Sequence, residues 1–188
     1  MKFLKLYFLL LTCFLLSMST SFSANNNSPL RIAVAANFTP ALKELLVEFH
    51  QQTQIPTQII SGASGALFLQ ISHGAPFDIF ISADSHRPKL LEQKGLILKN
   101  SRKTYAIGQL ALFSITDKKQ LSDLANLPKR FAIANPASAP YGKAAKQTLK
   151  YLGLWQQYQN SLITGININQ TFNQIRSQAV NSGLVANS

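Results

Sequence analysis

The chain has little negative charge and almost no cysteine. Its 188 residues include seven Asp and Glu against 18 Lys and Arg, and Cys13 is the single cysteine. Cys13 lies in an apolar run close to the amino terminus, and the sequence after it contains no thiol. Disulfides, thiolate metal sites and cysteine nucleophiles are therefore excluded for the remaining part of the chain.

The first residues are typical of a secretory signal peptide. Two lysines precede an apolar run at 7–18, and small, mostly polar residues follow at 19–24. A cut after Ser23 places the small residues Ser21 and Ser23 at the recognition positions. We therefore expect residues 1–23 to be removed and the protein to be periplasmic. A retained membrane anchor is the alternative, and the shortness of the apolar run disfavours it.

The charge of the remaining chain is positive and uneven. Without the two lysines of the leader the net charge is near +9, and no Asp or Glu follows Asp123. This balance attracts an anionic ligand or an acidic partner surface. A nucleic-acid partner is disfavoured, because the basic residues are scattered rather than interleaved with aromatic ones and the chain is expected to be exported.

Strand-like and helix-like segments alternate, which is the pattern of βαβ units and a parallel sheet. Strands are predicted at 30–35, 57–61, 77–82, 105–115 and 131–134, with another beginning at 183–186. Helices are predicted at 40–53, 64–73, 87–94, 119–127, 140–152 and 169–179. We expect Thr39 and Asn169 to cap the first and last helices, and Gly74 and Gly95 to end two others. The run 105–115 is the candidate for a crossing between two lobes.

Two strand-to-helix junctions are suited to binding an anion. They are Ala35–Pro40 and Ser61–Leu67, and each places small polar side chains and free backbone N–H groups where a helix begins. The first N–H groups of a helix have no intrahelical partner, and the helix dipole makes that end partly positive. Similar junctions follow at Asn135–Gly142 and Gly165–Asn169. Four such junctions in one exported chain favour an oxyanion held by N–H and hydroxyl groups.

Evidence for an enzyme is weak. Ser64 lies in a sequence similar to the nucleophile elbow of hydrolases, but the pattern G-x-S-x-G requires glycine where Ala66 stands. Asp78 and Asp84 flank one predicted strand and could form a carboxylate pair, although a capping and turn role for Asp84 is the simpler interpretation. The three histidines are His50, His73 and His86, and they do not have the spacing of metal ligands.

Several further motifs occur in a fixed order over residues 30–188. They are VAANF at 34–38, GASGAL at 62–67, GAPFDIFISAD at 74–84, GLI at 95–97, NP at 135–136, APYGKAA at 139–145, LGLW at 152–155, NINQTF at 167–172 and GLVA at 183–186. This set resembles the periplasmic molybdate-binding proteins of ABC transporters. The resemblance implies an α/β, two-lobed periplasmic-binding-protein-like (type II) fold with the ligand cleft between the lobes. The first lobe is expected at 24–107 and the second at 108–188.

The resemblance also implies which residues bind the oxyanion. In that family neutral donors hold molybdate, and the matching positions are Asn37 and Ser64 in the first lobe and Tyr141 and Ile168 in the second. Ser64 is expected to donate from its hydroxyl and N–H, and Asn37 from its side chain, its backbone or both. Tyr141 and Ile168 are expected to act mainly through backbone N–H. The molybdenum atom receives no direct ligand from the protein, and no cofactor is expected.

Two departures from the family accompany these expectations. Ala186 stands where some members have a tyrosine donor, and family members continue for several tens of residues beyond Ser188. We therefore expect the first lobe to lack a strand and its covering helices, and the chain as given to be marginally stable.

The expected function is capture of molybdate, and of tungstate, for delivery to the membrane permease of an ABC transporter, by a monomer with no catalytic activity. The alternatives are a binding protein for another oxyanion or a small organic anion, such as sulfate or phosphate, and a degenerate non-functional fragment.

Overall fold

The chain forms two sheets flanked by helices. A computed structural model describes residues 28–116, 119–128 and 130–187. The strands are β1 Leu30–Ala35, β2 Thr57–Gly62, β3 Ile79–Ile81, β4 Leu110–Ser114, β5 Phe131–Ala134, β6 Leu162–Gly165 and β7 Ser182–Ala186. The helices are α1 Thr39–Thr53, α2 Ser64–Ser72, α3 His86–Gln93, α4 Pro140–Tyr151, α5 Trp155–Tyr158 and α6 Ile168–Arg176, with 3-10 turns at Ala36–Phe38 and Leu121–Asn126.

The first lobe consists of β1–β3 and α1–α3. Its sheet has the order β2-β1-β3, and both pairs of neighbouring strands are parallel. The central strand β1 contributes Ile32 and Val34 to a core that Leu42 of α1 completes from one face. Parallel strands of this kind place their carboxyl ends, and the junctions that follow them, at one edge of the sheet.

The second lobe consists of β4–β7 and α4–α6. Its sheet has the order β4-β7-β5-β6, with β5 parallel to both neighbours and β4 antiparallel to β7. Phe131, Leu149 and Leu184 pack in its core around Tyr158. The buried Tyr158 hydroxyl donates to the carbonyl groups of Leu124 and Leu127, so its polar end is hydrogen-bonded. Burial raises the pKa of Tyr158 above its usual value.

A third buried cluster, rich in alanine, joins the lobes. It includes Ala36 and Ala63 of the first lobe and Ala139, Tyr141 and Ile168 of the second. Alanine side chains allow the two backbones to approach closely here. The two-lobed α/β fold predicted from the sequence is therefore confirmed.

Two predicted strands are shorter than expected. The segment 77–82 forms a ladder only at Ile79–Ile81, and Ile79 is exposed because β3 lies at an edge of its sheet. Within 105–115 the strand is limited to Leu110–Ser114. The residues at 101–109 form neither helix nor strand, and we call them the crossing segment because they lead from the first lobe to β4.

Both predicted helix caps are wrong, whereas the predicted stops are confirmed. The 3-10 turn supplies the Ala36 carbonyl to the N–H of Thr39, so α1 begins at Thr39, and the Thr39 hydroxyl bonds to Ser61 instead. The cap of α6 is Asn167, whose side chain accepts from the Gln170 N–H. Gly74 and Gly95 follow α2 and α3 with φ of 86° and 68°, the left-handed conformation that glycine tolerates.

The proposed signal peptide lies outside the described residues. In the portion that is described, no helix is both long enough and apolar enough to cross a membrane.

Several large apolar side chains of the first lobe are solvent-exposed, among them Leu45, Val47, Leu69 and Leu98. Leu45 and Leu42 belong to the same helix, α1, but only Leu42 is buried.

Candidate functional site

The junction after β1 places Asn37 at the base of the cleft. Asn37 is the middle residue of the 3-10 turn Ala36–Phe38, directly beyond the carboxyl end of the central strand. Its Oδ1 atom is buried and has no hydrogen-bond partner among the described residues. Because Oδ1 only accepts hydrogen bonds, an oxyanion does not satisfy it, and the donors that Asn37 can offer to an anion are its Nδ2 hydrogens and its backbone N–H.

The junction after β2 places Ser64 at the start of α2. Ser64 is fully buried, and its Oγ accepts the N–H of Ala83 at 2.9 Å. Because that bond uses a lone pair of the oxygen, the hydroxyl hydrogen can still be donated to a ligand. The first N–H groups of α2 lie at the same point and have no acceptor within the helix. Ser64 therefore offers both a hydroxyl and a backbone donor.

The second lobe contributes two helix amino termini. Tyr141 follows Pro140 in the first turn of α4, where proline needs no N–H partner. Ile168 is the first residue of α6 and follows its cap, Asn167. Both residues are largely buried, and their backbone lies where each helix dipole is positive.

These four residues line a single cavity between the lobes. The cavity is small, with a volume of about 10 Å³, and Asn37, Ser64, Tyr141 and Ile168 are among the lining residues. The others are small or uncharged, namely Ala35, Ala36, Gly62, Ala63, Ala83, Ala139, Pro140 and Asn167. Within the described part of the chain, no charged side chain lines this cavity. The site can therefore hold a small anion by hydrogen bonds and helix dipoles, without a counter-charge.

Tyr105 of the crossing segment closes one side of this region. Its hydroxyl donates to the Ser82 carbonyl at 2.9 Å, and its ring packs on Phe38 with centroids 4.8 Å apart. Burial, with a smaller contribution from the neighbouring Tyr141, raises the pKa of Tyr105. A Cβ at Gly108 would lie 2.1 Å from the Tyr141 hydroxyl, so a larger residue there would displace the Tyr141 side chain. The crossing segment thus packs against both sides of the cleft.

The other chemically interesting residues have structural roles. Asp78 accepts the N–H of Arg31, and Asp84 forms an ion pair with Arg87, so the two carboxylates do not act as a pair. His50 and His73 contact carbonyl groups of their own segments. Within residues 28–116, 119–128 and 130–187, no cluster of His, Cys, Asp or Glu could hold a metal ion.

The structure brings together all four residues that the resemblance implied, and their roles as ligand donors remain predictions. Two neighbours were missed. The sequence predicts Asn169 rather than Asn167 as the cap, and it places Tyr105 in a strand. An aromatic residue at the first position of the predicted crossing run 105–115 is the one available signal for Tyr105.

The sequence of this chain is similar to those of known solute-binding proteins. A family model described as bacterial extracellular solute-binding protein matches residues 30–188. The molybdate-binding protein ModA of Azotobacter vinelandii is 37% identical over 160 residues, which is 83% of this chain and 64% of that protein. ModA of Rhodobacter capsulatus is 40% identical over 144 residues, 74% of this chain and 57% of that protein. The chain thus spans about three fifths of the length of these relatives.

Two solved structures are similar in fold to this chain. The periplasmic molybdate-binding protein of Azotobacter vinelandii has a TM-score of 0.76 and 38% identity, over 84% of this chain and 71% of that one. The sulfate-binding protein SubI from Mycobacterium tuberculosis has a TM-score of 0.68 at 13% identity, over 85% of this chain and 64% of that one. The second match shows the fold alone.

Proposed function

Since the chain belongs to the family of bacterial extracellular solute-binding proteins, we propose that it binds molybdate in the periplasm and delivers it to the permease of an ABC transporter. The observation that carries this proposal is the interlobe cavity without a charged wall, where three helix amino termini and the Ser64 hydroxyl converge. The names of the two relatives that are 37% and 40% identical support molybdate as the ligand.

We assign each donor a role in binding. Ser64 donates its hydroxyl and its N–H, and Asn37 turns its amide towards the anion. Tyr141 and Ile168 donate from the backbone, so their side chains matter less for binding. A site of this kind stabilises the dianion with several donors of fixed direction rather than with a mobile cation.

Size favours a compact inorganic anion. Sites for drug-sized molecules occupy roughly 300–1,000 Å³, whereas the cavity between the lobes has a volume of only about 10 Å³. Tungstate has the shape and charge of molybdate, so the same donors bind it. Sulfate is the second candidate, because the donors would suit any tetrahedral dianion. It is smaller, however, and each buried donor left unpaired costs about 1–3 kcal/mol.

The remaining expectations follow from this assignment. No cofactor and no catalytic step are required, because the anion is carried unchanged. The anion and the permease are the proposed partners, and the binding protein acts as a monomer.

Thermal unfolding tests whether the chain as given holds the ligand. We expect a cooperative unfolding transition. Molybdate or tungstate at 100 times its dissociation constant should raise the unfolding temperature by about 5–10 °C, because binding to the folded state adds roughly 2.7 kcal/mol to the free energy of unfolding. Sulfate at the same concentration should raise it far less. Such a result would also overturn the expectation that the chain is only marginally stable. A shift with sulfate and none with molybdate would contradict the molybdate assignment.

A further inference from the structure

We infer that Asn169 and Arg87 form a latch that holds the two lobes closed over the cavity without touching the ligand. This inference rests on the proposed function, since it assumes that closure retains the anion. Each side chain donates to a backbone carbonyl of the opposite lobe, and neither lines the cavity.

Asn169 provides the contact from the second lobe to the first. It lies in the first turn of α6, but Asn167 already caps that helix, so the Asn169 amide is available for another partner. Its Nδ2 donates to the Ala36 carbonyl at 2.8 Å. Ala36 directly precedes Asn37, and Asn169 directly follows Ile168. The contact therefore joins the immediate neighbours of two proposed ligand donors.

Arg87 provides the contact from the first lobe to the second. Its guanidinium is paired with the Asp84 carboxylate, which also accepts the Arg87 N–H at 2.9 Å. The Nη2 atom reaches the Ala137 carbonyl at 3.4 Å. Because Asp84 neutralises the charge and fixes the side chain, the guanidinium acts as a directed donor rather than as a free cation for the anion.

A backbone contact lies beside the Arg87 contact. The N–H of Gly65 donates to the Ser138 carbonyl at 2.8 Å, and Gly65 directly follows Ser64. Two successive carbonyls of the turn before α4, those of Ala137 and Ser138, therefore accept donors from the first lobe. These three hydrogen bonds can exist only when the lobes are closed, because each joins one lobe to the other.

The latch has a specific kinetic consequence. An anion enters the open protein, where the latch contacts are broken, so the association rate does not depend on them. Release requires opening, and loss of one latch hydrogen bond should speed release by about 3- to 10-fold. The ratio of closed to open molecules in the ligand-free protein should fall by a similar factor.

The experiment compares Asn169→Leu and Arg87→Gln with two matched controls. The control for Asn169→Leu is Asn173→Leu, one turn further along α6. The control for Arg87→Gln is Lys89→Gln, which removes a charge from the same helix. Both control positions are exposed. Spin labels are attached at Gln51→Cys and Tyr151→Cys, exposed positions on opposite lobes, after Cys13→Ser removes the native thiol. Pulsed electron resonance then reports the interlobe distance with and without molybdate, and titration calorimetry reports affinity.

We expect both latch variants to shift the distance distribution of the ligand-free protein towards longer values, while the controls retain the wild-type distribution. Asn169→Gln, which keeps an amide donor, should restore part of the closed population. Unchanged distributions in both latch variants would overturn the latch whatever the affinity for the anion. If the variants open but the wild type gives no heat with molybdate, the latch stands and the molybdate assignment fails. Circular dichroism confirms that each variant is folded, and the two sites provide independent tests.

Discussion

Replacing Ser64 with alanine should weaken molybdate binding by about 10- to 100-fold, because a hydrogen bond to a charged group contributes about 1.5–3 kcal/mol. The substitution removes the buried hydroxyl that can donate into the cavity. It also leaves the Ala83 N–H without its acceptor, so the unfolding temperature should fall by a few degrees. Titration calorimetry and thermal unfolding of the same samples separate the two effects.

Two variants serve as controls for this result. Ser72→Ala removes a hydroxyl at the other end of α2 that has no hydrogen-bond partner among the described residues, and its affinity should remain that of the wild type. Tyr141→Phe keeps the backbone N–H proposed to bind the anion, and its effect should be smaller than that of Ser64→Ala. A larger loss in Tyr141→Phe would contradict the backbone role assigned to Tyr141.

Replacing Gly65 with alanine should weaken binding by a similar factor through a different cause. A Cβ at this position would lie 2.5 Å from the Ser138 carbonyl oxygen and 2.8 Å from Arg87 Nη2. The first of these contacts is with backbone of the opposite lobe, so the clash is relieved only if the lobes separate. Overpacking of this kind costs about 1–3 kcal/mol, or roughly 5- to 140-fold in affinity.

The ligand-free chain should tolerate the Gly65→Ala substitution. Opening of the cleft removes the clash, and alanine is the better helix former, so its unfolding temperature should not fall. The control is Ala66→Ser, which adds one atom at the exposed neighbouring position of the same helical turn and should bind as the wild type does. Wild-type affinity in Gly65→Ala would show that the lobes do not close as described.

The framework of the fold was predictable because its signals are local. Short branched runs such as Leu30–Ala35 and Phe131–Ala134 became buried parallel strands. Pro40 and Pro140 mark the first turns of helices, where the missing N–H of proline costs nothing. Glycine after α2 and α3 supplied the positive φ that ends a helix.

Features decided by tertiary contacts were not predictable in this way. Asn167 and Asn169 are equally good capping residues, and the choice between them depends on where the chain leaves β6 and on the Ala36 carbonyl of the other lobe. Ile79 is typical of a buried strand, yet β3 is an edge strand of three residues. The sequence alone does not show that the Asn169 side chain bonds to the Ala36 carbonyl, which is 133 residues away along the chain.

The candidate site combines both kinds of information. Each strand-to-helix junction could be found from its own residues, and each alone is compatible with ordinary capping. Their convergence follows from topology, since β1 and β2 are parallel neighbours in one sheet and β5 and β6 in the other. The resemblance to a known family named the four donors, and the structure places them around one cavity. The contacts between the lobes came from the structure alone.

We propose that the uncharged cavity between the lobes binds molybdate in preference to sulfate. Calorimetric titration of the chain with molybdate, tungstate and sulfate under identical conditions tests it most directly. We expect saturable binding of one molybdate or tungstate per chain, with sulfate at least about 5-fold weaker because even one unpaired buried donor costs about 1–3 kcal/mol. Heat from sulfate without heat from molybdate would contradict it.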